Sequence, residues 1–365
     1  MRLGTEERLR ARAAKEHALA LAREKEYADV VDYVATCGGG EYVELCRGWL
    51  ERVRDLRDAT PPADLSPMVA SGISGPFVLV HMRHAELDME VYLFGERHET
   101  PSCPPDYTRI DVYLDNLLRT SDKFIDVFLE SSVYTDPSEI RLTSGLAYLR
   151  QLFHWCVGER TRCPYPNARI HFNDLRASVI AAENNRYRHY FLDIMSYRDS
   201  TKTVGDEFRA WVRHLEAKTE LVVDKSSPMH SIARFLVLSL AKIPRIRRNL
   251  NTPHIKKKLL VFMCEQFLVA LNEQCLVSVT ALVLDFYGLA RMFKDFGDDV
   301  PLTPRRAKNI IMYGGAMHTK THAKFMEVLG FEVVEAVRYD DVVSAAPMCV
   351  DMGSVVQPFF TSSDE

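Results

Sequence analysis

Several signatures that would assign this 365-residue chain to a common function class are missing. There is no phosphate-cradling Gly-x-x-x-x-Gly-Lys-Ser/Thr loop and no dinucleotide-binding Gly-x-Gly-x-x-Gly, which argues against an ordinary ATPase or a nicotinamide enzyme. Ser131 and Ser132 lack the Gly-x-Ser-x-Gly elbow of a serine nucleophile. No run of about 18 apolar residues occurs, so no membrane span is expected. The first residues, MRLGTEERLRARAAKEHALALAREKEY, lack the apolar stretch of a secretion signal and carry the acids that a transit peptide avoids. The eight cysteines form no Cys-x-x-Cys pair. Cys156 and Cys264 lie in apolar runs, so reduced, buried thiols in a cytoplasmic, intracellular protein are expected rather than a disulfide framework or a zinc-thiolate site.

Charge excludes little but narrows the partners. With 46 basic and 50 acidic residues the net charge is −4, and no overall attraction to nucleic acid or membrane follows. The densest basic stretch, Lys242 to Arg248 followed by Lys256-Lys257-Lys258, has no interleaved aromatics and reads as a solvated helix junction around Pro244 and Pro253.

The 47% apolar content is enough for a sizeable core. Residues 5–57 repeat apolar positions at helical intervals and break at Gly38-Gly39-Gly40, which reads as two helices. A Pro- and Gly-rich stretch from Ala59 to Gly75 has linker composition. The chain is therefore divided into an N-terminal helical extension, 1–70, a candidate docking element for a protein partner, and a domain spanning 71–365. Beyond the boundary the pattern becomes α/β. Strands are expected at Phe77–His81, Met89–Phe94, Phe124–Leu129, Arg169–Phe172, Asn309–Tyr313 and Phe331–Val337, with helices at 139–160 and 319–329 and a large helical insertion over 176–297. Strand, helix, strand is the rhythm of a mainly parallel sheet. The insertion reads either as a lid over the strand ends or as packing for one sheet face. Its most apolar stretch, Cys275 to Ala290, contains Asp285 and reads as a buried helix.

Two segments share a local grammar: an apolar strand, a glycine turn, and a histidine three residues on. They are Gly95-Glu96-Arg97-His98 and Gly315-Ala316-Met317-His318. In an open α/β sheet ligands bind at the carboxyl ends of strands, so both histidines should reach one edge. Histidine supplies a base or a metal ligand near neutral pH, and Glu96 adds a carboxylate. Glu130, closing FIDVFLE, is a better site candidate than Asp126, which lies earlier in the same strand. His171 is expected to be a buried hydrogen-bonding residue, His322 a surface residue, and His81 and His84 bystanders.

On these segments the chain resembles the superfamily that includes TIKI/TraB proteins, erythromycin esterases and ChaN-like proteins. The matching elements are Gly95 to His98, Phe128-Leu129-Glu130, the Asp174-Leu175-Arg176 element after His171, and Gly315 to His318. The resemblance covers roughly residues 77–337, and the divergence is like that of proteins from large DNA viruses. It implies an α/β fold and a hydrolase of ester, lactone or peptide bonds acting on a small-molecule or peptide substrate. The implied catalytic residues are Glu96, His98, Glu130, Arg176 and His318, with Arg176 either orienting substrate or forming a structural ion pair with Asp174. TIKI proteins are metal-dependent and erythromycin esterases use histidine-activated water, so a divalent metal held by Glu96, His98 and His318 is one expectation and histidine acting as base is the other. ChaN-like members bind haem instead. The alternatives are therefore a haem- or metal-binding protein, or a non-enzymatic binding or structural protein that retains the fold.

Overall fold

The computed structural model describes residues 65–131, 144–153, 156, 163–174, 212–213, 228–297, 303–339 and 347–360. The N-terminal helices and Arg176 expected above lie outside those residues. Among the described residues, no helix is long and apolar enough to cross a membrane.

The order of elements is β1 (Gly72–Ser74), β2 (Val78–His84), β3 (Met89–Glu96), β4 (Thr108–Arg109), α1 (Ile110–Thr120), β5 (Ile125–Leu129), α2 (Gly145–Phe153) and β6 (Ala168–Phe172). It continues with α3 (Pro228–Lys242), α4 (Pro244–Arg247), α5 (Pro253–Asn272), α6 (Leu276–Met292), β7 (Asn309–Gly315), α7 (Ala316–Leu329), β8 (Glu332–Val337) and β9 (Cys349–Asp351). Six strands form one sheet in the order β6-β5-β7-β3-β2-β8. The four strands β6, β5, β7 and β3 run parallel, while β2 pairs antiparallel with both β3 and β8. The mainly parallel α/β architecture read from the sequence is the one observed.

The apolar runs of β3 and β7 are continuous because both faces of the sheet are covered, as parallel sheets require. Successive side chains alternate between two cores. Val91, Leu93, Ile310 and Met312 join the core built with α3 to α7, whereas Tyr92, Phe94, Ile311 and Tyr313 join the one built with α1 and α2. The described part of the helical insertion thus packs against one sheet face, and Phe262, Phe267 and Phe286 from it are buried there. Lys242, Arg247, Arg248 and the three lysines from 256 to 258 are exposed at the junction, as the solvated reading expects.

Composition misread one segment. Ser71 to Gly75 has the look of a linker, yet β1 pairs with β4 and β9 in a small second sheet and Ile73 is fully buried. Glycine is required at 72 because a Cβ there would lie 2.2 Å from the Tyr107 ring. The thiol expectation is also corrected. Cys103–Cys349 and Cys156–Cys163 are disulfide-bonded, and Cys264 and Cys275 are the free cysteines among the described residues. Cys103 and Cys349 are 246 residues apart, so only the fold brings them together.

Candidate functional site

Parallel pairing sets Glu96 opposite Gly315 at the ends of β3 and β7, and Glu130 follows β5 immediately beside them. The strand ends therefore deliver the residues of both Gly-x-x-His segments and Glu130 to one edge, and the helices that follow fix their side chains.

After β3 the chain turns through His98, whose φ of 59° lies in the left-handed region, an uncommon conformation for a non-glycine residue. Such outliers persist where surrounding contacts hold them. Here the turn folds the imidazole back onto Glu96, with His98 Nδ1 2.7 Å from Glu96 Oε1. The carboxylate itself is buried and accepts at its other oxygen from the Tyr313 hydroxyl at 2.7 Å and the Leu146 N–H at 2.9 Å. That N–H belongs to the first turn of α2, where backbone donors and the helix dipole favour an anion. The His98 side chain is 47% exposed, and its other nitrogen, Nε2, lies on the side of Glu130. The hydrogen bond that His98 donates to Glu96, outweighing partial burial, holds the His98 pKa above its ordinary value.

β7 passes directly into α7, which starts beside Glu130. The Gly315 N–H donates to Glu130 Oε2 at 2.5 Å, and His318 Nε2 approaches Glu130 Oε1 at 3.2 Å. On its other side His318 Nδ1 lies 2.7 Å from Asp285 Oδ1 of α6. Burial pushes the His318 pKa down, but the charge of Asp285 and the bonds to Asp285 and Glu130 carry it up to about 10. His318 is thus an imidazolium clasped between two carboxylates. Burial alone would raise the Glu130 pKa, yet His318 and the Gly315 N–H hold it down at about 2.

Glu130 is where the two histidines meet. Its Oε2 lies 3.7 Å from His98 Nε2, beyond hydrogen-bonding distance, while Oε1 faces His318. A Cβ added to Gly315 would sit 3.3 Å from Glu130 Oε2 and 3.5 Å from both His98 Nε2 and His318 Cδ2. Glycine at this position leaves open the point on which all three side chains converge.

The Glu96, His98 and His318 ligand set fits poorly, because both oxygens of Glu96 are engaged behind His98 rather than turned toward His318. Among the described residues no three His, Cys, Asp or Glu side chains are gathered around a common point as metal ligands. The chemical donor set that does face inward is the two Nε2 atoms and the Glu130 carboxylate.

Other expectations sort by burial. His171 is buried, and Asp126 holds it at 2.7 Å while making a bidentate pair with Arg169. Burial, ahead of the opposing pull of Asp126, lowers the His171 pKa to about 4, so it is neutral. This network ties β5 to β6 on the strands, short of the site. His81 bonds to Glu90 and His84 to the Leu329 carbonyl, away from the two Gly-x-x-His turns. His322 was expected at the surface and is fully buried, with Nε2 3.3 Å from Asp285 Oδ1. Its helical register explains the difference: one turn beyond His318, it points to the same α6 face. Asp285 was missed as a site residue. A charge in the middle of an otherwise apolar helix has to find a partner, and that was the available signal.

No protein-family model, curated protein or solved structure matches this chain.

Proposed function

We propose that the chain is a hydrolase of ester, lactone or peptide bonds, with His98 as general base at a centre completed by Glu96, Glu130, His318 and Asp285. The observation that supports this most is the asymmetry of the two histidines. His98 is half-exposed and held at Nδ1 by Glu96, whereas His318 is buried and already charged. The carboxylate at Nδ1 places the proton on that nitrogen and leaves the Nε2 lone pair on the side of Glu130.

In this reading a water molecule gives its proton to His98 Nε2 as its oxygen attacks the substrate carbonyl. Glu96 steadies the imidazolium that forms. The same proton then passes from His98 to the departing alkoxide or amine, so the base is regenerated and one water is consumed per bond cleaved. General-base assistance of this kind typically contributes about 10² to 10⁴ in rate. His318 and Glu130 supply a fixed charge pair that orients the reacting groups without reorganising.

A second reading draws support from the same two carboxylates. Ligating histidines usually donate their second ring N–H to a carboxylate, as both histidines are placed to do here. A divalent cation at this centre would require His98, His318 and Glu130 to draw together, since among the described residues no three such side chains share a common point, and it would lower the pKa of a bound water toward neutrality. Metal analysis of the purified protein separates the two readings. The hydrolase reading is tested by a broad ester, lactone and peptide screen of the wild type and His98→Ala. Turnover present in the first and lost in the second is expected, and turnover unaffected by the substitution would overturn it.

A further inference from the structure

Glu130 has a neighbour that the proposed chemistry does not use. Arg150, in the second turn of α2, is half-buried and donates from Nη2 to the Glu130 backbone carbonyl at 3.3 Å. Among the described residues that is the one hydrogen bond of its side chain, and no carboxylate pairs with it. Its Nε is shielded from solvent and has no partner. A charge drawn partly out of water is normally met by an acid. Here the acids of the centre are already engaged. Glu130 Oε1 faces His318 and its Oε2 accepts from the Gly315 N–H, while Glu96 is held by His98, Tyr313 and the Leu146 N–H.

Helix spacing places the guanidinium at the centre. Leu146 and Arg150 are four residues apart and share one face of α2. The N–H of the first meets Glu96 at the end of β3, and the side chain of the second meets Glu130 after β5. His98 Nε2 lies 3.7 Å from the Glu130 carboxylate, so imidazole and guanidinium stand at the two ends of one residue. A planar guanidinium matches a carboxylate through two parallel hydrogen bonds. We infer that Arg150 sets specificity at this centre by binding a free carboxylate of the substrate, a few atoms from the bond that is cleaved. The substrates are then esters, lactones or peptides that carry an acid group beside the scissile bond. Neutral analogues leave the guanidinium unpaired and are disfavoured for that reason. The substrate class rests on the hydrolase reading; carboxylate binding at Arg150 does not.

Two measurements test this, one of them independent of turnover. In a titration followed by NMR, benzoate should shift the His98 ring signals of the wild type in a saturable way and benzamide should not. The benzoate shift should be lost in Arg150→Gln, which keeps a side-chain N–H for the Glu130 carbonyl. No response to benzoate, or the same response in Arg150→Gln, would overturn the inference. In kinetics, 3-acetoxybenzoate should be preferred over 3-acetoxybenzamide in kcat/KM by about 10- to 100-fold, chiefly through KM. That ratio should fall toward one in Arg150→Gln and recover in part in Arg150→Lys, a charge rescue that a purely structural role would not give. A ratio of one in the wild type, or a ratio unchanged in Arg150→Gln, would contradict the specificity role. Saturable benzoate binding with neither ester hydrolysed would refute the hydrolase reading and leave Arg150 as a carboxylate site.

Discussion

His318 Nδ1 and Asp285 Oδ1 are 2.7 Å apart between two helices, α7 and α6, with both side chains buried. That contact ties the helical insertion to the strand ends and makes the insertion part of the candidate site. Removing Asp285 leaves the buried His318 charge with Glu130 as its remaining partner, so the cost is at most that of a broken buried pair, about 3–5 kcal/mol. Asp285→Ala should lower unfolding free energy by about 1 to 5 kcal/mol in denaturant titration. A loss below about 1 kcal/mol would mean that His318 is not held as a buried charge.

The same cluster sets how stability follows pH. The folded-state pKa of His318 is raised to about 10 against an ordinary 6.5, so its contribution is complete below 6.5 and fades as pH climbs from there through 10. Glu130, lowered to about 2 from 4.5, contributes fully above 4.5 and loses that contribution as pH falls toward 2. Thermal melts across pH should show both flanks. In His318→Gln the alkaline flank should flatten, and a flank that persists unchanged would assign it to other groups.

His98 is expected to separate function from stability. Its side chain is 47% exposed, so His98→Ala should leave the melting temperature nearly unchanged while lowering turnover by about 10² to 10⁴. A large drop in melting temperature would make His98 a structural residue instead.

Most of the parallel sheet was legible in sequence, because its apolar runs are bounded by turns and each is long enough for one strand. α1 was not read, although Ile110, Tyr113, Leu114, Leu117 and Leu118 recur at helical spacing and are buried. β1 was hidden by a glycine, Gly72, whose role is tight packing against Tyr107 rather than flexibility. At the site, Glu96, His98, Glu130 and His318 could be read because each closes a strand or its turn. Asp285 and His322 could not, because their importance comes from helix-to-helix contact, which one-dimensional spacing does not record. The glycines themselves carried only half of their meaning: Gly315 makes a turn, and it also leaves open the point where two histidines and a carboxylate meet.

The cysteine pairing is open to direct chemistry. A digest under non-reducing conditions, with free thiols alkylated first, should yield the Cys103 peptide linked to the Cys349 peptide and should label Cys264 and Cys275. Alkylated Cys103 and Cys349 in protein purified without reductant would contradict the pairing.

The claim that His98 works as a base beside a His318 that stays charged at neutral pH is tested most directly by the pH dependence of kcat/KM on whichever substrate the screen identifies. Glu96 raises the His98 pKa, so activity should fall on the acid side with a midpoint above the ordinary histidine value of 6.5. It should fall again on the alkaline side near pH 10 as His318 loses its proton. A profile with no acid limb, or an acid limb that survives in His98→Ala with turnover intact, would contradict the account.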